Sequence, residues 1–168
     1  MEFTIRPYRL SDAKEYCEMR RMEGVIDFTT AVPSEPEENG LKFLQSLGPD
    51  DHFFTAEAQT DKGPVMIGSC GLHVCPKARL RHGGVLAIMV RTEYQNQGVG
   101  HALMDKILDL ADNWLLLKRV ELETAAENGR AIHLYESCGF VREGVKKYAI
   151  VTRGKLGDIV MMARYRNL

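Results

Sequence analysis

Two stretches combine residue types suited to holding an anion and moving a proton. The first is Glu93-Tyr-Gln-Asn-Gln-Gly-Val-Gly-His-Ala-Leu-Met104, which sets Gln95-x-x-Gly98-x-Gly100 at the start of a segment with helical periodicity. A helix N-terminus exposes unpaired N–H groups and carries partial positive charge, so it suits phosphate. Glycines at 98 and 100 remove the Cβ atoms that would hold phosphate oxygens away from those amides. The pattern is not a P-loop, because no Gly-Lys-Ser/Thr follows. Nor is it the dinucleotide fingerprint: position 95 is Gln, and Leu117 and Lys118 stand where an acidic residue belongs, roughly 20 residues on. A glycine-softened loop is the competing reading, and this motif alone leaves the two level.

The second stretch is Glu127-Asn-Gly-Arg-Ala-Ile-His-Leu-Tyr-Glu-Ser-Cys-Gly-Phe140. Asn128 stands where a helix N-cap belongs. Tyr135 follows seven residues later, close to two turns, so both side chains face one side of the helix. Taken singly, the asparagine reads as a cap and the tyrosine as core.

The elements that must position these residues follow from periodicity. Phe3 and Ile5 alternate in a short strand. Ser11-Asp12 cap a helix reaching Met22, with Ala13, Tyr16, Cys17 and Arg20 along one face. Pro33, Pro36 and Gly40 punctuate a loop before a second helix carrying Leu41, Leu44 and Leu47, which Gly48-Pro49-Asp50-Asp51 ends. Three strands in a meander come next: His52 to Gln59, Val65 to Val74 across the Thr60–Gly63 turn, and Gly84 to Val90. The period then changes to 3.6, with Leu103, Ile107, Leu110 and Trp114 on one stripe. Arg119 to Thr124 alternates again, with Val120 and Leu122 inward. The helix from Asn128 ends at Gly139, and two strands flank the Arg153-Gly154-Lys155 turn. The order is β-α-α-β-β-β-α-β-α-β-β. It predicts a mixed α/β fold with one parallel pair, bridged by a crossover helix, in an otherwise antiparallel sheet. No repeat or linker divides it, so one domain over residues 1–168 is expected.

Composition narrows the function classes. With 45% apolar and 27% charged residues and a net charge of −1, the chain reads as an ordinary soluble globular protein without a nucleic-acid footprint. The run Lys77-Ala-Arg-Leu-Arg81 reads as a solvated hairpin tip. No stretch matches a membrane span or a signal peptide. The four cysteines (Cys17, Cys70, Cys75, Cys138) lack metal-site spacing, so no metal is expected and a cytoplasmic setting with reduced thiols is.

Together, the two opening stretches resemble the signatures of the Gcn5-related N-acetyltransferase superfamily. One is Gln/Arg-x-x-Gly-x-Gly/Ala, met by Gln95, Gly98 and Gly100. The other is met by Asn128, Ala131, Tyr135, Gly139 and Phe140. The resemblance covers nearly the whole chain and implies the same element order. It implies acetyl-CoA as co-substrate, with its pyrophosphate on Gln97, Gly98, Val99, Gly100 and His101, and with Gln95 and Asn96 beside them. The preceding strand should bulge and splay from its parallel neighbour, so that pantetheine bonds to the backbone of Ile88, Met89 and Val90 and also meets Asn128. An amide near Met89 or Val90 would serve the oxyanion, and Tyr135 would be the general acid. The base is left unassigned among Glu57, His73, Glu123 and a water chain. The chain is similar to bacterial members that acetylate free amino acids or related amines, so a small-molecule amine is the expected partner. Protein N-terminal and polyamine acetylation stay open, the latter through Glu35, Glu37 and Glu38. A non-catalytic acetyl-CoA sensor and a nucleotide binder using the glycine turn alone are the other classes. Homodimerisation, common in the superfamily, would use the terminal strand of Met161 and Met162.

Overall fold

The computed structural model describes residues 2–166. Met1, Asn167 and Leu168, which the expected domain span includes, lie outside the described residues. The elements run β1 (Phe3–Pro7), α1 (Ala13–Arg21), α2 (Glu38–Ser46), β2 (Asp51–Thr60), β3 (Gly63–Val74), β4 (Gly83–Val90), α3 (Val99–Asp109), β5 (Arg119–Ala125), α4 (Gly129–Ser137), β6 (Val141–Thr152) and β7 (Lys155–Tyr165). This is the order read from periodicity. The strands form one sheet, β1-β2-β3-β4-β5-β7-β6, and only β4 and β5 pair in parallel.

Helix α3 is the crossover between those two strands. It buries Val99, Leu103, Met104, Ile107 and Leu108 against the sheet, as the apolar stripe requires. Trp114, expected on that stripe, is instead 77% exposed. The cause is a π-turn over Leu110–Trp114, where the Leu115 amide bonds to the Leu110 carbonyl at 3.0 Å. A π-turn holds more than 3.6 residues, so it rotates Trp114 off the stripe. Leu117, 2% exposed, enters the core after it.

At the other end of the sheet a polar cluster ties β1, β2 and α1 together. The Arg6 guanidinium donates to both oxygens of Asp12, at 2.9 and 2.8 Å, and to Glu57 at 2.6 Å. Asp12 also accepts from the Arg9 amide at 2.8 Å and the Thr55 hydroxyl at 3.1 Å. Its carboxylate therefore does not cap α1, as its position predicts. It satisfies an arginine that bridges two strands. Burial pushes the Asp12 carboxyl up, but the hydrogen bonds from Arg6 and the Arg9 amide outweigh it and hold the group below its ordinary 3.8.

The methionine-bearing strand is not an edge. Met161 and Met162 lie in β7, which is flanked by β5 and β6, and Met162 is fully buried. The edge is β6, with Val141, Val145 and Val151 exposed along it.

Removing one partner from the Arg6–Asp12 cluster leaves a charge without its counter-ion. Asp12→Asn should cost about 3 kcal/mol in a urea melt at neutral pH. The wild-type carboxylate has a depressed folded pKa, so its contribution is present above about pH 4 and fades as pH falls through the folded value. The gap between wild type and variant should therefore narrow below pH 4. A gap of the same size at pH 3 and pH 7 would contradict this assignment.

Candidate functional site

The site begins where the parallel pair ends. Gly83, Gly84 and Val85 pair with Arg119, Val120 and Glu121, and beyond Val85 the two strands part. The implied bulge is absent: β4 pairs with β3 residue for residue from Gly84 to Val90 without a register shift. The opening comes from β5 leaving β4, not from β4 buckling. Strand alternation then decides which backbone groups face the gap. The Arg91 amide bonds to Ile67 and the Gly83 carbonyl accepts from Cys75, both on the β3 side. Odd-numbered residues of this strand, Met89 included, thus spend their backbone on β3. Ile88 and Val90 turn theirs into the gap. Of the three residues expected to offer free backbone there, Met89 does not.

A cleft of about 660 Å³ occupies the gap and continues out of both faces of the sheet. On one face it meets the glycine turn. Asn96 (φ 59°) and Gly98 (φ 84°) are both left-handed, a curl that gathers successive N–H groups. The amides of Gln97, Gly98, Val99, Gly100 and His101 find no backbone acceptor among the described residues. The first bond of α3 is Ala102 to the Gly98 carbonyl, at 3.0 Å.

The two glycines differ in their reasons. A Cβ on Gly98 would meet nothing within 4 Å, and only its positive φ demands glycine. A Cβ on Gly100 would come within 3.1 Å of Leu134 Cδ2, so this glycine lets α4 pack against α3.

Side chains of the motif also divide. Asn96 and His101 line the cleft, as does Gln95, whose amide donates to the Val90 carbonyl at 2.9 Å. That bond satisfies a gap-facing acceptor and pins the turn to β4. Gln97 turns away to the Glu93 carbonyl, and the Val99 side chain is buried in the core. Their contribution to the turn is backbone only.

Asn128 and Tyr135 lie together on the cleft side of α4, as two turns of helix predict. Asn128 caps the helix by accepting from the Ala131 amide at 3.2 Å. Tyr135 is 6% exposed, with its ring 6.0 Å from that of Phe140. No buried side-chain polar atom lacks a partner among the described residues, and Tyr135 donates to none of them; its hydroxyl therefore opens on the cleft. Burial pushes the phenol up, so it stays protonated well above neutral pH.

The three side chains weighed as bases separate cleanly. Glu57 belongs to the Arg6 cluster. His73 pairs with Asp51 at 2.7 Å on the surface. Glu123 alone of the three lines the cleft, where it also pairs with Lys146.

Beyond Glu123 the cleft opens among Tyr16, Phe28, Phe53, Met89 and Ile150, with Arg20 at their edge. The acidic loop does not face it. Glu35 is held by Arg20 at 3.0 Å, Glu37 sits 3.9 Å from Arg21, and Glu38 starts α2. Arg130 and His133 also line the cleft, beside the glycine turn. Sequence reading passed over both, although their spacing of three within α4 marks a shared face.

Comparison with known proteins bears on the family and the fold. The model of the Acetyltransferase (GNAT) family matches residues 18–140. An L-amino acid N-acetyltransferase of Escherichia coli (strain K12) is 35% identical over 134 residues, covering 73% of this chain and 82% of its own. A spermidine N(1)-acetyltransferase of Vibrio cholerae is 33% identical over 84 residues, which is 48% of this chain and 49% of the other. A GNAT-family acetyltransferase structure from Streptococcus pneumoniae superposes with a TM-score of 0.82 at 25% identity, over 99% of this chain and 100% of that one.

Gly98→Ala tests the turn. A left-handed alanine costs about 1–2 kcal/mol or forces the turn to relax, so CoA affinity should fall by about 10-fold in calorimetry while α3 stays folded. Unaltered affinity would show that the Gln97–His101 amides do not hold the ligand.

Proposed function

The chain is an N-acetyltransferase of the GNAT family, and we propose that it transfers the acetyl group of acetyl-CoA to the primary amine of a free amino acid or similar small molecule. The observation that carries this reading is the continuous path from five unpaired amides at α3, past Tyr135, through the gap and on to Glu123. A pyrophosphate fits the first, an extended amide-bearing arm fits the second, and a proton acceptor waits beyond. The free amino acid is supported by the 82% coverage of the Escherichia coli relative and by the character of the far end of the cleft. That end is apolar, and two of the loop carboxylates that could draw a polyamine, Glu35 and Glu37, are paired with Arg20 and Arg21. In this reading residues 1–168 form one domain, and the reduced thiols fit a cytoplasmic setting.

Acetyl-CoA supplies an activated acyl group on sulfur. The chain supplies position and protons. Ile88 and Val90 offer gap-facing backbone as an extra strand edge for the pantetheine arm, and Asn128 adds its side-chain amide. The Val90 N–H, not that of Met89, is the donor free to stabilise charge on the reacting carbonyl oxygen. Glu123 receives the proton of the acceptor amine. Tyr135 donates to the departing sulfur. A free thiol has a pKa of about 8.5, so this transfer runs uphill from a buried phenol. It becomes easier because the same apolar walls desolvate the thiolate and raise its proton affinity too.

Tyr135→Phe should lower kcat by about 10²-fold with little change in acetyl-CoA affinity. In the wild type, burial lifts the phenol above its ordinary 10, so kcat should show no descending limb from Tyr135 below pH 10. A limb below pH 9 that vanishes in Tyr135→Phe would contradict this. Glu123→Gln should lower kcat at neutral pH by about 10²-fold; an unchanged kcat would take Glu123 out of the reaction. An amine panel read by thiol release should find amino acids above spermidine, and no acceptor above background would favour the sensor reading.

We also propose a homodimer formed through the exposed edge of β6. Light scattering should give twice the chain mass of 18.9 kDa; a monomer mass would contradict it.

A further inference from the structure

Arg130, the cation at the glycine-turn end of the cleft, is not used by the proposed reaction. Helix α4 presents a second face there, distinct from that of Asn128 and Tyr135. At 100° per residue, Arg130, Leu134 and Ser137 fall within about 60° of one another, with His133 next to them. Two contacts fix where this face points. Leu134 packs on Gly100, and Ser137 Oγ lies 3.1 Å from His101 Nε2. Moving down α4 from 134 to 137 thus follows α3 from 100 to 101. One turn back, about 6 Å, brings Arg130 to the turn of Asn96 to Gly98, where the unpaired amides open.

Charge sharpens the picture. Arg6, Arg20, Arg119, Arg142, Arg153 and Arg164 are committed to carboxylates. Arg130 is exposed and joins none of the ion pairs found among the described residues, and it lines the cleft with His133 and His101. Glu123, the one carboxylate in the described lining, lies further in, on β5 at the gap. The outer mouth is therefore positive beyond what the amides alone supply. A pyrophosphate seated on the amides leaves a second anion to be placed further out. CoA has one, the phosphate on its ribose 3′ oxygen.

Resting on the acetyl-CoA reading, we propose that Arg130, with His133, holds the 3′-phosphate of CoA and makes the protein select CoA over 3′-dephospho-CoA. Arginine's planar fork suits a phosphate monoester, and the exposed position makes the contact sensitive to salt. Arg130 is a binding residue that touches no reacting atom, so its loss should raise KM for acetyl-CoA without lowering kcat.

The test is calorimetry with CoA and 3′-dephospho-CoA on the wild type, Arg130→Ala, Arg130→Lys and His133→Ala. The wild type should bind CoA about 10-fold more tightly than the dephospho form. In Arg130→Ala that ratio should fall to about 1, through weaker CoA binding alone. Arg130→Lys should keep part of it, and His133→Ala should lose a smaller part. A wild type without preference would overturn the proposal, as would a ratio unchanged in Arg130→Ala or equal weakening of both ligands. If the wild type binds neither ligand, the acetyl-CoA reading itself fails, a result distinct from binding both alike.

Discussion

The parallel contact between β4 and β5 lasts for three residue pairs and then stops, and the site depends on that short length. Past Val85, β4 is bonded only to β3 and β5 only to β7. Each strand thus carries a row of backbone donors and acceptors facing the other across a cleft. A buried backbone group without a partner costs about 1–3 kcal/mol. The chain satisfies one of them itself, with the Gln95 amide on the Val90 carbonyl. The others are available to an extended ligand with amides of its own. The gap that weakens the sheet is also a place where a flexible arm can be bound along its length without depending on side-chain identity.

The two ends of the cleft are built from different materials. The α3 end offers backbone amides with Arg130 on α4 beside them, a setting that suits an anion. The far end has aromatic and aliphatic walls from α1, β2 and the β6–β7 hairpin. Arg20 marks its edge, its charge shared with Glu35 and its guanidinium 5.9 Å from the Tyr16 ring. Between the two ends lie Tyr135 and Glu123, one from α4 and one from β5, on either side of the opening. In the proposed reaction the proton donor and the proton acceptor therefore come from the two elements that the divergence of β5 sets apart from β4.

Much of this was legible in the residues. Local patterning, together with the turn residues between segments, carried the order of strands and helices. The glycine turn, the Asn128 cap and the Tyr135 face were readable for the same reason. What was not legible rests on distant contacts or irregular backbone. Glu57 looks like a base on a central strand, but Arg6, 51 residues away in sequence, claims it. Trp114 fits the helical stripe until a π-turn shifts the phase. Gly100 looks like part of a phosphate seat, and its neighbour turns out to be Leu134. Which of Ile88, Met89 and Val90 faces the gap depends on the ladder to β3, which no local pattern encodes. Arg130 and His133 look like solvated helix surface until α4 is laid against α3.

Backbone hydrogen exchange, followed by NMR with and without CoA, tests the central claim most directly. The amides of Ile88 and Val90 and those of Gln97 to His101 should exchange quickly in the free protein and slow on adding CoA. The Met89 amide, already bonded to β3, should be slow in both. Equal protection of Ile88, Met89 and Val90 in the free protein, or no slowing at the glycine turn with CoA, would contradict a ligand seated in the β4–β5 gap.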